Sequence, residues 1–254
     1  MKFSNSIVRK PGKSLVRGLT GAELGIPDYP KACIQHESYV RALKECGLKV
    51  KVLESDEEFP DSTFVEDTAL LTSRCAVISR PGALSRRGEV IGIKPVIEDF
   101  YSDIEEIQPP GTVEAGDIMM VGGHFYIGLS GRTNQNGADQ IIRILEKYGM
   151  SGSVIKLEKV LHLKTGVSYL EHNNLAACGE FLSHPEFERF HIIEIPEEES
   201  YAANCVWVND RVLIPKGYPE TRRKIMDAGY AVIEVDVSEF RKLDGGLSCL
   251  SLRF

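Results

Sequence analysis

Leu243-Asp244-Gly245-Gly246-Leu247-Ser248-Cys249-Leu250-Ser251-Leu252-Arg253-Phe254 is the stretch on which the reading of the fold turns. An Asp-Gly-Gly turn delivers a cysteine to the start of an apolar alternation, Leu250-Ser251-Leu252, that has the period of a β-strand. Chain ends fray unless they are tied into a sheet. A thiol this near the last residue therefore does accurate chemistry only if its strand has a partner. The N-terminal run from Phe3 to Val8 supplies one, and pairing first with last strand would close the chain on itself and hold Cys249 in place.

Working inward from that turn, the same kind of unit recurs: a polar turn rich in Glu, Asp, Asn or Gly, a strand, a tight turn and a second strand. Val65-Glu66-Asp67 precedes Ala69-Leu70-Leu71 and Ala76-Val77-Ile78, and Glu114-Ala115-Gly116-Asp117 precedes Ile118 to Val121 and Phe125-Tyr126-Ile127. Glu171-His172-Asn173-Asn174 precedes Leu175 to Cys178, and Tyr201-Ala202-Ala203-Asn204 precedes Cys205 to Val208 and Val212-Leu213-Ile214. Gly122-Gly123 and Asn209-Asp210 are two-residue hairpin loops by composition. Asp244-Gly245-Gly246 begins a fifth unit whose second strand is the N-terminal one.

Between these hairpins the apolar period changes to that of a helix. Ala32 to Cys46, Ala138 to Tyr148 and Glu220 to Ala228 each stop at a glycine. A helix from Gly92 to Tyr101 carries Pro95, which confines that residue to the first turn. Strands follow at Lys49 to Leu53, Ser153 to Leu157 and Ala231 to Val235. The expected architecture is α/β, a ring of five βαβ-plus-hairpin units within one domain covering 1–254.

Composition narrows the class. With 43% hydrophobic and 26% charged residues in 254, the chain is an ordinary globular protein long enough to bury a large core. No run approaches the roughly 20 apolar residues of a membrane span, and the first residues lack the apolar region of a signal peptide, so a cytoplasmic location is expected. Six scattered cysteines without a C-x-x-C pair or a zinc-like spacing fit reduced thiols and no metal. A net charge of -7 argues against nucleic acid and leaves room for a small cation.

If the polar turns face one hole, Glu66, Asp67, Glu114, Asp117, the Glu171-His172-Asn173 turn and Cys249 surround it. A cysteine needs a base or a cation beside it to ionise at neutral pH. His162, leaving a strand just before the Gly166 turn, is the best candidate, while His172, His124 and His36 stay in competition. Paired carboxylates grip a planar guanidinium best. Each signal has a bland counterpart: a cysteine in an apolar strand is usually packing, and an Asp or Glu in a turn is usually a cap.

Phe59-Pro60-Asp61-Ser62-Thr63-Phe64-Val65-Glu66-Asp67, Gly111-Thr112-Val113-Glu114-Ala115-Gly116-Asp117, Leu161-His162-Leu163-Lys164-Thr165-Gly166 and the Asp244 to Cys249 turn occur in that order. Together they resemble the dimethylarginine dimethylaminohydrolase family of the guanidine-modifying superfamily, over a span from Gly18 to the last residue. The resemblance implies a five-bladed α/β propeller, the pentein fold. It implies Cys249 as nucleophile, His162 as general acid and base, and Glu114 and Asp67 as the carboxylates that hold the guanidinium. Asp61, Glu66 and the backbone near Leu243 would line the pocket, Arg86 and Arg132 would receive an amino-acid carboxylate, and Leu19 would belong to a lid over Gly18 to Tyr29.

The implied reaction turns Nω-methylated L-arginine into L-citrulline and a methylamine through a thiouronium on Cys249, with no cofactor and no partner beyond the small-molecule substrate and, at most, a second copy of the chain as a homodimer. The nearest rivals are an arginine deiminase, which generally carries an added helical insertion, and a non-catalytic ribosome-binding pentein.

Overall fold

The computed structural model describes residues 2–254. Its strands, in chain order, are β1 (Asn5–Arg9), β2 (Lys49–Leu53), β3 (Ala69–Leu71), β4 (Ala76–Ile78), β5 (Ile104–Glu106), β6 (Ile118–Val121), β7 (His124–Leu129) and β8 (Ser151–Lys156). They continue as β9 (Val167–Tyr169), β10 (Asn174–Ala177), β11 (His191–Glu194), β12 (Val206–Val208), β13 (Arg211–Pro215), β14 (Ala231–Val235) and β15 (Leu252–Arg253). These form five three-stranded sheets, each an antiparallel pair of which one strand also takes a parallel neighbour; four of the pairs are hairpins of consecutive strands, and the fifth joins β15 to β1.

The parallel steps need crossovers. These are α1 (Tyr29–Glu45) between β1 and β2, α2 (Glu89–Glu98) between β4 and β5, α3 (Gln135–Lys147) between β7 and β8, and two short 3-10 turns between β10 and β11. After the one-turn α4 (Leu163–Gly166), α5 (Pro219–Asp227) joins β13 to β14. Asp28 and Asn134 cap α1 and α3 by accepting from the amides of Lys31 and Gly137, as short polar caps do.

The chain divides into two compact units, residues up to Val65 with Gly166–Arg253, and Glu66–Thr165 with Phe254. The first holds three sheets over two apolar clusters, one around Leu15, Tyr39, Leu43, Phe240 and Leu250, the other around Leu170, Ile193, Trp207 and Ile225. The second holds β3 to β8 over a core of Val77, Phe125, Ile127, Ile141 and Leu145.

The terminal pairing expected from sequence is present in the first unit: β15 lies antiparallel to β1, with Ser6 opposite Arg253 and Ile7 opposite Leu252. Three expectations change. Cys249 does not start the strand but sits in a 3-10 turn, Ser248–Leu250, ahead of a β15 of only two residues. The second helix begins earlier, at Glu89, so Pro95 lies well inside it. The amide that Pro95 lacks would have met the carbonyl of Ile91, whose residue is 76% exposed, so water can take that carbonyl. Finally, Glu171-His172-Asn173 is the tip of the β9–β10 hairpin, with three successive left-handed residues, and does not precede a first strand.

His36 on α1 is 2% exposed and its Nε2 has no hydrogen-bond partner among the described residues. Burial, with Lys10 nearby, pushes its pKa down to about 4. A depressed histidine pKa gives stability that is whole above the unfolded value near 6.5 and is lost as pH falls toward the folded value. Between pH 7.5 and 5 this site should remove about 2 kcal/mol, a loss that His36→Leu should lack. Urea midpoints of the two proteins at both pH values measure it, and parallel pH dependences would refute it.

Candidate active site

A short polar turn precedes the first strand of every sheet: Val65–Thr68, Ala115–Asp117, Leu163–Gly166, Glu197–Ala203 and Ser248–Leu250. That equivalence sets one histidine apart from the others. His162 stands at the head of the third such turn, whereas His172 is 71% exposed at a hairpin tip, His124 bridges two serines of β8, and His36 is in a helix.

In the second unit the turns gather charge. Glu114 is fully buried and its Oε2 lies 3.0 Å from Nε2 of His162. Its Oε1 accepts from the amide of Ala83 and lies 3.6 Å from Nη1 of Arg132. Asp67 accepts from the amide of Gly116 at 2.9 Å and from Nη1 of Arg86 at 2.6 Å. Arg86 also places Nε and Nη2 on the two oxygens of Glu89. Glu66 is paired with Lys164 at 2.6 Å. Gly116 has to be glycine, because a Cβ there would stand 2.8 Å from Asp67 Oδ1 and 3.2 Å from the ring of His162.

Burial alone would drive the proton off His162, but Asp67, the hydrogen bond to Glu114 and the charges of Asp117 and Glu114 outweigh it and raise the pKa to about 9. The ring is therefore an imidazolium at neutral pH, with Nε2–H donating to Glu114. Asp67 stays ionised despite its burial because Arg86 and His162 hold its pKa down. Asp67, Glu114, Asp117 and Glu89 face Arg86, His162 and Arg132, which leaves one carboxylate in excess. A buried cluster of this sign is completed by a cation.

Ligand atoms of Asp67, Glu114 and His162 lie within 4.8 Å of one another, close enough for a metal ion. The imidazolium and Arg86 already supply the positive charge there, and we read the group as a proton site.

The first unit holds the thiol. Cys249 is half-buried, and the amide of Gly246 donates to its Sγ at 3.4 Å. Asn204 accepts from the amide of Ser248 and donates to its hydroxyl, while Tyr39 donates to the carbonyl of Leu247 and meets Ser251 Oγ at 2.6 Å. The turn is thus clamped on both sides of Cys249. Close approach, more than dihedral freedom, demands its glycines: a Cβ on Gly245 would meet the Phe64 ring at 2.2 Å, and one on Gly246 the Asn204 amide at 2.5 Å.

The same unit brings Leu19, Asp61 and Leu243 together. Asp61 is 6% exposed and accepts from the amide of Leu19 at 3.0 Å, and a Cβ on Gly18 would stand 2.8 Å from Asp61 Oδ1 and 3.0 Å from Leu243 Cδ1. The segment after Leu19 is tied to the cysteine turn, Gly21 N–H donating to Asp244 and Thr20 to the carbonyl of Lys242.

Comparison with known proteins follows the same lines. A family model described as eukaryotic N,N dimethylarginine dimethylhydrolase matches residues 29–251. A curated N(G),N(G)-dimethylarginine dimethylaminohydrolase from Pseudomonas aeruginosa is 65% identical over 253 residues, covering 99% of this chain and 100% of that one. The chain belongs to the dimethylarginine dimethylaminohydrolase family. Its pentein-type α/β fold superposes on a crystal structure of the Pseudomonas aeruginosa family member, a C249S mutant complexed with citrulline, with a TM-score of 0.99 at 64% identity and full coverage of both chains. A second crystal structure in the family, an H162G adduct with S-methyl-L-thiocitrulline, matches with a TM-score of 0.98 at 64% identity over 99% of this chain and 100% of the other.

Sequence reasoning missed the residues that hold the site in shape: Glu89, Ser130, Thr133, Asn204 and Tyr39. Each is separated along the chain from what it holds or sits in an ordinary helix or loop context, so no local pattern marks it. Lys164 lies in the same Leu161 to Gly166 run as His162, but its partner Glu66 is distant in sequence, so nothing local marks the pair.

Proposed function

We propose that this chain hydrolyses Nω-methylated L-arginine, asymmetric dimethylarginine and monomethylarginine, to L-citrulline and dimethylamine or methylamine. The observation that carries the reading is near-full-length identity to a dimethylarginine dimethylaminohydrolase, with the cysteine, histidine and carboxylate motifs intact.

In this mechanism the Cys249 thiolate adds to the guanidinium carbon, which Asp67 and Glu114 hold. His162 gives its proton to the departing amine nitrogen, the carbon–nitrogen bond breaks and a thiouronium remains on sulfur. The imidazole, now neutral, takes a proton from water as the water oxygen adds to the same carbon. The carbon–sulfur bond then breaks and restores the thiolate, the remaining hydroxyl proton passes to the released amine or to solvent, and citrulline forms. Holding the guanidinium converts an encounter of poor partners into a local step.

The remaining assignments belong to the same proposal. Asp61, Glu66, Leu19 and the backbone at Leu243 line the pocket, and Arg132 and Arg86 receive the α-carboxylate. Of these two, Arg132 has the freer side chain, 24% exposed against 6%. The span 1–254 is assigned as one catalytic domain, in keeping with a relative that is matched over 99% of this chain and 100% of its own length. Its reduced cysteines suit the cytoplasm. No helix among the described residues is long and apolar enough to cross a membrane. Sedimentation would show whether the chain self-associates as a homodimer.

Citrulline production from asymmetric dimethylarginine and from L-arginine is the test. A kcat/KM higher for the methylated substrate, lost in Cys249→Ser, is expected; a preference for L-arginine would make the chain a deiminase, and full activity in Cys249→Ser would remove the nucleophile.

A further inference from the structure

We propose that Asp117 is a positioning residue for the proton-transfer pair: its buried carboxylate ties down the backbone that carries His162, anchors the loop that holds Glu114, and adds negative charge facing the imidazolium. The proposal rests on the reading of His162 as the general acid and base.

Asp117 is completely buried, at the end of the turn that begins with Ala115. Its Oδ1 accepts from the amide of Leu163, the residue after His162, at 3.0 Å. Its Oδ2 accepts from the hydroxyl of Ser130 at 2.7 Å. Ser130 Oγ in turn accepts from the amides of Arg132 and Thr133, and Thr133 Oγ1 accepts from the amide of Glu114 at 3.1 Å. One carboxylate thereby fixes the two backbones whose side chains meet as Glu114 and His162, and the backbone of Arg132 as well.

The surroundings make the charge matter. The groups facing Asp117 are the His162 imidazolium, the hydroxyls of Ser130 and Thr133 and the Leu163 amide, while Asp67 and Glu114 face the same imidazolium and Arg86 and Arg132 face those two carboxylates. Gly128 packs against the same corner, a Cβ there standing 2.9 Å from Leu157 Cδ1, 3.0 Å from Leu163 Cβ and 3.3 Å from Asp117 Oδ1. A buried aspartate that only capped a turn would need no imidazolium opposite. Burial raises its pKa to about 6, a rise limited by His162, Thr133, Ser130 and the Leu163 amide, so it is mostly ionised at neutral pH.

Asp117→Asn tests this, since the amide oxygen still accepts from Leu163 while the charge is gone. A neighbouring opposite charge moves a pKa by about 1–3 units. The His162 titration, followed by NMR of 15N-labelled histidine, should fall by about one unit, and the alkaline limb of kcat/KM should fall with it, so that activity relative to wild type drops about fivefold further at pH 9 than at pH 7. An unmoved His162 titration in a folded Asp117→Asn protein would overturn the electrostatic role, whatever the activity. Should that variant not fold, Ser130→Ala keeps the charge and cuts the link to Thr133 and Glu114; kcat/KM about tenfold lower with an unmoved limb supports the positioning role, and unchanged kcat/KM overturns it. The NMR titration needs no substrate, so absence of citrulline formation by the wild type would count against the proposed reaction and leave the Asp117 result to stand by itself.

Discussion

His162→Gly is expected to lower kcat/KM for asymmetric dimethylarginine by about 10²–10⁴-fold, the range that positioned proton transfer contributes. The reason lies in the two states the ring must visit. Held at a pKa of about 9, it starts as an acid able to protonate the departing amine, and once it has done so the neutral ring, still beside Glu114, is the base that water needs. Glycine removes both functions and leaves the nucleophile in place. Steady-state citrulline formation measures the loss, and mass spectrometry of the protein during turnover measures the adduct. Adduct formation from dimethylarginine at the wild-type rate would contradict the acid role in the first half-reaction.

The same substitution has a stability signature. A histidine whose folded pKa is raised contributes stability that is complete below its unfolded value near 6.5 and is lost as pH rises toward about 9. Wild type should therefore weaken over that interval, and His162→Gly should not.

Arg86→Met is expected to destabilise the protein by about 3–5 kcal/mol, because removing one partner of a buried ion pair leaves the other charge uncompensated. Here two carboxylates, Asp67 and Glu89, lose the guanidinium they share, and their side chains are 4% and 2% exposed. Methionine fills much of the volume, so the loss reports charge more than cavity. The sign with pH distinguishes the two: without Arg86 the pKa values of these carboxylates rise, so the deficit should shrink as pH falls and they take up protons, whereas a cavity deficit would not change. Urea unfolding at pH 7.5 and 5.5 separates these outcomes. Arg86→Lys should recover only part of the loss, since an ammonium cannot reach both carboxylates with a fork of donors.

Much of this was legible locally. The β3–β4 hairpin has the boundaries that the apolar runs Ala69 to Leu71 and Ala76 to Ile78 announce, and β2 and β14 likewise have the expected bounds. These strands are buried on both faces or bounded by strong turn residues, so local pattern and tertiary demand agree. Where they disagree the tertiary demand prevails. Pro95 sits within α2 where the residue four positions earlier, Ile91, is exposed, and the polar run at Glu171 marks a hairpin tip because three left-handed residues turn the chain there.

For this protein the sequence alone determined which residue types recur in which order: repeated units of polar turn and strand, a terminal strand able to pair with the first, and four motifs that carry a cysteine, a histidine and the carboxylates. Only the tertiary structure decided which histidine stands at the head of an equivalent turn, that Cys249 rides a clamped 3-10 turn, and that Asp67, Glu114 and Asp117 surround one imidazolium while Arg86 is engaged by Glu89 as well as Asp67. The physical reason is that a charge state belongs to a neighbourhood. The pKa of His162 is set by groups that lie 45 to 95 positions away along the chain, at Asp117 and Asp67, and no local pattern carries that distance.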